Sequence, residues 1–274
     1  MKGTLYIVAT PIGNLKDITY RAIEVLKDVD IIICENPLHS MKLLNQYDIR
    51  KNLQPYHKFN ERSSIDKVVN WLDEGKNVAL ISDAGTPLIS DPGYILVSEL
   101  RAGGYDVTPV PGACAGITAL VASGLSTERF CFVGFLHGNK SAKVDELNKY
   151  KDLECSLIFY LAPHNLDEDL KVLYSVLGDR KAMLCNELTK MHEKYIEFSL
   201  ASVPSIDARG EYVLIVEGCT MQVDYSKISL EEHLDRYISM GIDQKTALKM
   251  VAKDRGVSKS VIYKDLIVDK DVKK

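Results

Sequence analysis

The 274-residue chain has no Cys-x-x-Cys pair, no low-complexity tract, no repeat of fixed period and no apolar run of membrane-spanning length. Its six cysteines, Cys34, Cys114, Cys131, Cys155, Cys185 and Cys219, are widely scattered, and Cys34, Cys131, Cys155 and Cys185 sit in or beside apolar runs. That distribution speaks against a zinc ribbon or a disulfide framework and for reduced thiols. The histidines show no metal-ligand spacing, so no metal is expected. A strand-length apolar run at residues 4–9 ends at Pro11 and is too short for a signal-peptide core. The expectation is an intracellular, cytoplasmic protein without a membrane segment. Neither a G-x-G-x-x-G loop nor a Walker loop is present, which disfavours dinucleotide and ATP binding. A net charge of −4 gives the molecule no overall attraction for a polyanion, although a local basic surface would suffice for one.

What is present is an alternation of apolar strand-like runs with helix-period segments. In the first half the spacing predicts strands at residues 4–9, 30–34, 77–82 and 106–110. Helices are predicted at 19–27, 39–47 and 94–102, with one more capped near Ser63 and ended by Gly75. Helices between strands imply crossovers and a mainly parallel sheet. A second series runs through strands at 130–135, 155–160, 181–185 and 211–216 with helices at 141–150 and 164–177. The fold class is therefore α/β, with one domain over residues 1–112 and a second over 113–225. Residues 226–274 form a helix-turn-helix-like tail, in which helices at 244–253 and 259–266 flank Arg255-Gly256-Val257-Ser258. Lys245, Lys249 and Lys253 fall on one stripe of that tail, either as a solvated face or as an RNA contact.

The segment richest in chemical signal is Ser82-Asp83-Ala84-Gly85-Thr86-Pro87-Leu88-Ile89-Ser90-Asp91-Pro92-Gly93, between a buried strand and a helix. Ligands of open α/β sheets bind at the carboxyl ends of strands, where such a loop lies. Gly85 lets a ligand approach the backbone, and Pro87 and Pro92 stiffen the loop before any ligand arrives. Two further loops repeat the pattern: Thr10-Pro11-Ile12-Gly13-Asn14-Leu15 after the first strand, and Pro111-Gly112-Ala113-Cys114-Ala115 after the fourth. Three such loops at one sheet edge define a cleft.

Together these segments resemble the tetrapyrrole-methylase superfamily. Within it they are similar to the branch that methylates a ribose 2′-hydroxyl of cytidine in small-subunit ribosomal RNA. The matches continue through Ser123-Gly124-Leu125, Glu187-Leu188-Thr189-Lys190 and the run from Gly210 to Gly218, and so cover nearly the whole chain. The resemblance implies two α/β domains with a cleft between them for S-adenosylmethionine as cofactor. It also implies a homodimer, with small-subunit rRNA or the small ribosomal subunit as partner. Carried over by position, Pro11, Asp83, Ala84, Gly85, Thr86, Leu88, Cys114 and Ala115 would line the cofactor site, and Tyr160 and Leu161 would close it.

Three departures from that branch remove arginine, beside two others, Leu161 where Glu is usual and Pro111-Gly112-Ala113 in place of Pro-Gly-Pro. Leu38 in Glu35-Asn36-Pro37-Leu38-His39-Ser40, Asn165 in Leu161-Ala162-Pro163-His164-Asn165, and Asn186 beside Glu187 each stand where the branch usually carries Arg. Arginine suits bidentate phosphate contacts, so these positions bear on the substrate side of the cleft. Candidates for the group that handles the hydroxyl proton are Glu35 and Lys190, with His39, His164 and Glu187 also near strand ends. Besides rRNA methylation, two alternatives stay open: a related methyltransferase acting on another RNA or a small molecule, and a non-catalytic RNA- or ribosome-binding relative.

Overall fold

The computed structural model describes residues 1–207, 209–220, 228–239 and 241–262. The chain forms two compact units, Met1–Cys219 and Thr220–Lys274.

The first unit holds two sheets. The first sheet is built from β1 (Thr4–Val8), β2 (Ile31–Cys34), β3 (Asn52–Pro55), β4 (Val78–Ile81) and β5 (Asp106–Val110), in the order β3-β2-β4-β1-β5. All of its pairings are parallel. The connections run through α1 (Tyr20–Asp28), α2 (Pro37–Gln46), α3 (Glu61–Asp73) and α4 (Tyr94–Ala102). Every residue of β2 and β4 is buried, as expected of parallel strands covered on both faces. The order makes β4, β1 and β5 neighbours, so the three Gly- or Pro-bearing loops that follow them leave the sheet side by side.

After α5 (Ala115–Ala122) the second sheet collects β6 (Phe130–Phe135), β7 (Ser156–Leu161), β8 (Lys181–Asn186), β9 (Lys194–Ser199) and β10 (Tyr212–Val216), in the order β6-β7-β10-β8-β9. The helices α6 (Lys140–Leu147) and α7 (Leu166–Leu177) intervene in sequence. Only β6 and β7 pair in parallel here, and the remaining ladders are antiparallel. β10 is apolar and buried along its whole length because it lies in the centre, between β7 and β8.

Two edge strands, β3 and β9, were not expected from the pattern. Asn52-Leu53-Gln54-Pro55 is polar and partly exposed, with Pro55 tolerated because the strand pairs on one side only. The start of α3 also differs from expectation: the helix begins at Glu61 behind Asn60, and Ser63 sits inside its first turn, its hydroxyl donating to the Asn60 carbonyl at 2.9 Å. The buried position of Glu61 accounts for this. Its Oε1 accepts from the Tyr56 hydroxyl at 2.8 Å and from the Gly93 N–H at 2.9 Å. Burial, and then the Glu61 carboxylate, push the Tyr56 phenol up, so it stays a donor. The far end of the residue 82–93 loop is thereby anchored to α3.

The second unit contains α8 (Leu230–Ser239), which the pattern did not anticipate, and α9 (Gln244–Asp254), followed by helical residues 259–262. The expected helix at 259–266 is thus seen in its first turn, and residues 263–266 lie outside the described residues, as does the expected boundary at 225/226. Asp243 caps α9, accepting from the Lys245 and Thr246 N–H groups at 3.1 Å. Leu234, Leu248, Val251 and Ile262 form the unit's own small core. Lys245, Lys249 and Lys253 are exposed along α9. Among the described residues, no helix is long and apolar enough to cross a membrane.

Replacing Glu61 with Ala strands a buried phenol and a buried N–H. The expected loss is about 2–3 kcal/mol by urea denaturation, against about 1 kcal/mol for Tyr56→Phe, which removes one of the two bonds.

Candidate functional site

The loops after β4, β1 and β5 are tied to one another by hydrogen bonds. The Thr10 N–H donates to the Gly85 carbonyl at 2.8 Å, and the Gly85 N–H donates back to the Thr10 carbonyl at 3.1 Å. The Thr10 hydroxyl, itself buried, donates to the Ser82 carbonyl at 3.2 Å. On the other flank the Thr86 hydroxyl donates to the Ala113 carbonyl at 2.9 Å. Gly85 has a φ of +81°, and a side chain there would approach Ile12 Cγ2 at 3.1 Å. Glycine is therefore required twice over, by conformation and by space.

Between these loops and the second sheet lies a cavity of about 390 Å³. That is within the range of small-ligand sites. Its first-sheet wall runs from Asp83 through Thr86 and resumes at Ile89, Ser90 and Asp91, with Cys114 and Ala115 from the β5 loop. Its second-sheet wall includes Phe135 at the end of β6, Tyr160 and Leu161 at the end of β7, and Tyr212 and Val213 of β10. Eight of the ten residues expected to hold a cofactor therefore line one cavity: Asp83, Ala84, Gly85, Thr86, Cys114, Ala115, Tyr160 and Leu161. Pro11 and Leu88 do not line it. Pro11 is buried behind Ile12, which does, and Leu88 at φ +73° packs with the first-sheet core, against the space that a Gly93 side chain would need.

Asp83 Oδ1 is buried with no hydrogen-bond partner among the described residues. An orphan acceptor at a cavity wall is a place for a donor supplied by a ligand. Asp91 has its carboxyl pushed up to about 6, mainly by burial and then by the negative charge of Glu35, with Asp83 adding to the rise and a hydrogen bond from Ser82 opposing it. The Tyr160 hydroxyl accepts from the Gly116 N–H at 3.1 Å, and burial first, then Cys114, push its phenol up to about 12.

Neither expected catalytic candidate lines the cavity. Glu35 is exposed at the end of β2. Lys190 Nζ lies 3.0 Å from Glu187 Oε1 and 3.0 Å from Glu211 Oε2. The segment around it is tightly placed: Glu187 and Thr189 both have positive φ, and a side chain at Gly13 would meet Lys190 Cγ at 2.7 Å. The hydrogen bond from Lys190 lowers the Glu187 carboxyl. That ion pair is therefore present at neutral pH and lost only as pH falls through the depressed Glu187 value. His39 is exposed on α2, and His164 lines a separate, shallow concavity with Asp167, Glu168 and Lys171.

Residues 4–204 match the family of tetrapyrrole (corrin/porphyrin) methylases. The chain belongs to this family. A ribosomal RNA small subunit methyltransferase I from Halalkalibacterium halodurans is 44% identical over 271 residues, covering 96% of this chain and 94% of that protein. The protein of the same name from Bacillus subtilis is 44% identical over 272 residues, covering 95% and 93%. Among solved structures, a diphthine synthase superposes with a TM-score of 0.63 at 15% identity, over 79% of this chain and 90% of that one. It shares the methylase fold.

Around the three positions where the resemblance led to an expectation of arginine, Asn36 and Asn186 make local hydrogen bonds. Asn36 Oδ1 caps α2 by accepting from the Leu38 and His39 N–H groups, with Pro37 in the first turn, and leaves Leu38 exposed. The Asn186 amide donates to the carbonyls of Arg209 and Glu211 at 3.3 Å each, bracing the strand that carries Tyr212. Asn165 precedes α7 without a side-chain cap.

Gly85→Ala tests the loop junction. The positive φ alone is worth about 1–2 kcal/mol against a side chain. The variant is expected to lose about that much stability by urea denaturation.

Proposed function

We propose that this methylase transfers a methyl group from S-adenosylmethionine to the ribose 2′-hydroxyl of a cytidine in small-subunit ribosomal RNA. The single observation that carries the reading is the extent of its likeness to the rRNA small subunit methyltransferases. That likeness runs over 271 residues and includes the helical tail, whereas the fold neighbour covers 79% of the chain.

The cavity fits the methyl donor. The orphan Asp83 oxygen offers an acceptor for an amine or a ribose hydroxyl. Ile12, Ala84, Leu161 and Val213 supply apolar surface for a purine, and the absence of a side chain at Gly85 leaves room beside it. S-adenosylmethionine brings an already activated methyl on a sulfonium, so the protein's task is alignment of an acceptor oxygen more than acid–base activation. Cys114 and Ala115 would contact the donor from the β5 loop, and Tyr160 and Leu161 would close over it. Lys245, Lys249 and Lys253 offer phosphate contacts for the RNA. A homodimer working in the cytoplasm accords with this role.

The test is methyl transfer from labelled S-adenosylmethionine to small subunits lacking the modification, followed by nucleotide mapping. One alkali-resistant, 2′-O-methylated cytidine is expected. Transfer to a corrinoid or free nucleoside but not to the subunit would overturn the proposal. The tail has its own readout: reversing Lys245, Lys249 and Lys253 to Glu should weaken subunit affinity and flatten its salt dependence, while donor affinity stays unchanged.

A further inference from the structure

The cavity has a graded wall. Gly85 and Leu161 are buried deep in it, whereas Ile89, Ser90 and Phe135 are exposed at its mouth, and Asp91 lies half-buried between the two. At the mouth the two walls nearly touch: a side chain at Gly134 would meet Ser90 Oγ at 3.1 Å. An acceptor that enters from solvent, toward a donor held by Asp83 to Thr86 and Cys114, passes Asp91.

The chain spends conformational energy to put Asp91 there. Leu88 and Ser90 both take positive φ, at +73° and +64°, a conformation that non-glycine residues adopt rarely and that gathers at functional sites. Two residues beyond Asp91, the Gly93 N–H is fixed by the buried Glu61 carboxylate, which Tyr56 holds in turn. Asp91 is thus presented by a segment strained on one side and anchored on the other.

We propose that Asp91 is the proton acceptor for the ribose hydroxyl, a role that rests on the reading of this cavity as a methyl-transfer site. The candidates raised from the sequence are engaged or placed elsewhere. Lys190 is bound to two carboxylates, Glu211 is paired with Lys190, Glu35 and His39 are exposed outside the cavity, and His164 belongs to another concavity. Asp91 has no Lys or Arg ion partner among the described residues.

In the step, the O–H bond breaks and its electron pair stays on oxygen, which bonds to the methyl carbon. The carbon–sulfur pair remains on sulfur, and the proton passes to Asp91 Oδ. A positive sulfonium and a negative carboxylate are both neutralised, so no net charge develops in a partly desolvated site. The groups around Asp91 favour proton uptake: Glu35 from the end of β2 and Asp83 from the end of β4 are both acidic, Tyr160 from β7 stays a neutral phenol, and only the Ser82 hydroxyl stabilises the carboxylate. With its carboxyl near 6, Asp91 is charged and ready at neutral pH and silent in acid. It returns the proton to solvent through the mouth.

Two measurements test this. With small subunits as substrate, Asp91→Asn should lower kcat by about 10²–10⁴-fold. Affinity for the neutral product S-adenosylhomocysteine should stay unchanged, the acid limb of the wild-type pH profile should vanish, and Asp91→Glu should recover part of the activity. Without turnover, calorimetry at pH 6 in buffers of different ionisation heat should show wild-type protein releasing up to ~0.5 proton on binding the cationic donor, because a group near its pKa is half protonated. Binding of S-adenosylhomocysteine should release none, and Asp91→Asn should release none with either ligand. The proton count and the pH profile are read on wild-type protein even if the Asn variant fails to fold. Wild-type protein that methylates no RNA would overturn the underlying reading. Wild-type transfer with Asp91→Asn within tenfold of it, or equal proton release by both proteins, would overturn the role of Asp91 alone.

Discussion

The reciprocal backbone pair between Thr10 and Gly85 is the constraint on which the site depends. It joins the loop after β1 to the loop after β4, two strands that are neighbours in the sheet although more than seventy positions apart along the chain. The buried Thr10 hydroxyl locks the same junction to the Ser82 carbonyl, and the Thr86 hydroxyl extends it to the β5 loop through Ala113. Backbone groups at the ends of parallel strands would otherwise turn to solvent; here they satisfy one another and form a floor rigid before any ligand binds. Everything on the first-sheet side of the cavity, from Asp83 to Cys114, is placed relative to this junction.

The opposite wall has a different origin. The second sheet contributes strand ends rather than loops, with Tyr160 and Leu161 from β7 beside Tyr212 and Val213 of β10. Phe132, Tyr160 and Phe135 meet edge to face, with ring centroids 5.1 and 5.5 Å apart along the series. This aromatic row stiffens the wall and leaves Phe135 exposed at the mouth, where an unstacked base would find a flat apolar surface. An aromatic rim of this kind is suited to a nucleic-acid substrate.

Much of this was legible in the sequence because the relevant signals are local. Buried parallel strands such as Ile31–Cys34 announce themselves as apolar runs, and glycines and prolines mark the three loops that follow β1, β4 and β5. The edge strands β3 and β9 were not legible: their residues face a neighbour on one side and solvent on the other, so neither shows a buried run. The start of α3 escaped because the burial of Glu61 is decided by Tyr56 and Gly93, the latter far away in the chain. Asp91 is the instructive case among the candidate site residues. It stood in plain view within the most informative segment, yet its importance depends on β6 and β7 closing over it and on the charge of Glu35, none of which local spacing encodes. Lys190 is the converse, a residue whose position invites a phosphate or a proton but whose charge is committed to Glu187 and Glu211.

The central claim is that one cavity, floored by the tied loops and roofed by the second sheet, holds the methyl donor with its reactive end toward Asp91. A crystal structure of the full chain with S-adenosylhomocysteine tests it most directly. The account predicts ligand density against Asp83, Gly85 and Cys114, a polar group of the ligand on the orphan Asp83 oxygen, and the sulfur facing the Asp91 side of the cavity. Density elsewhere on the protein, or a sulfur pointing away from Asp91 toward the floor, would contradict it.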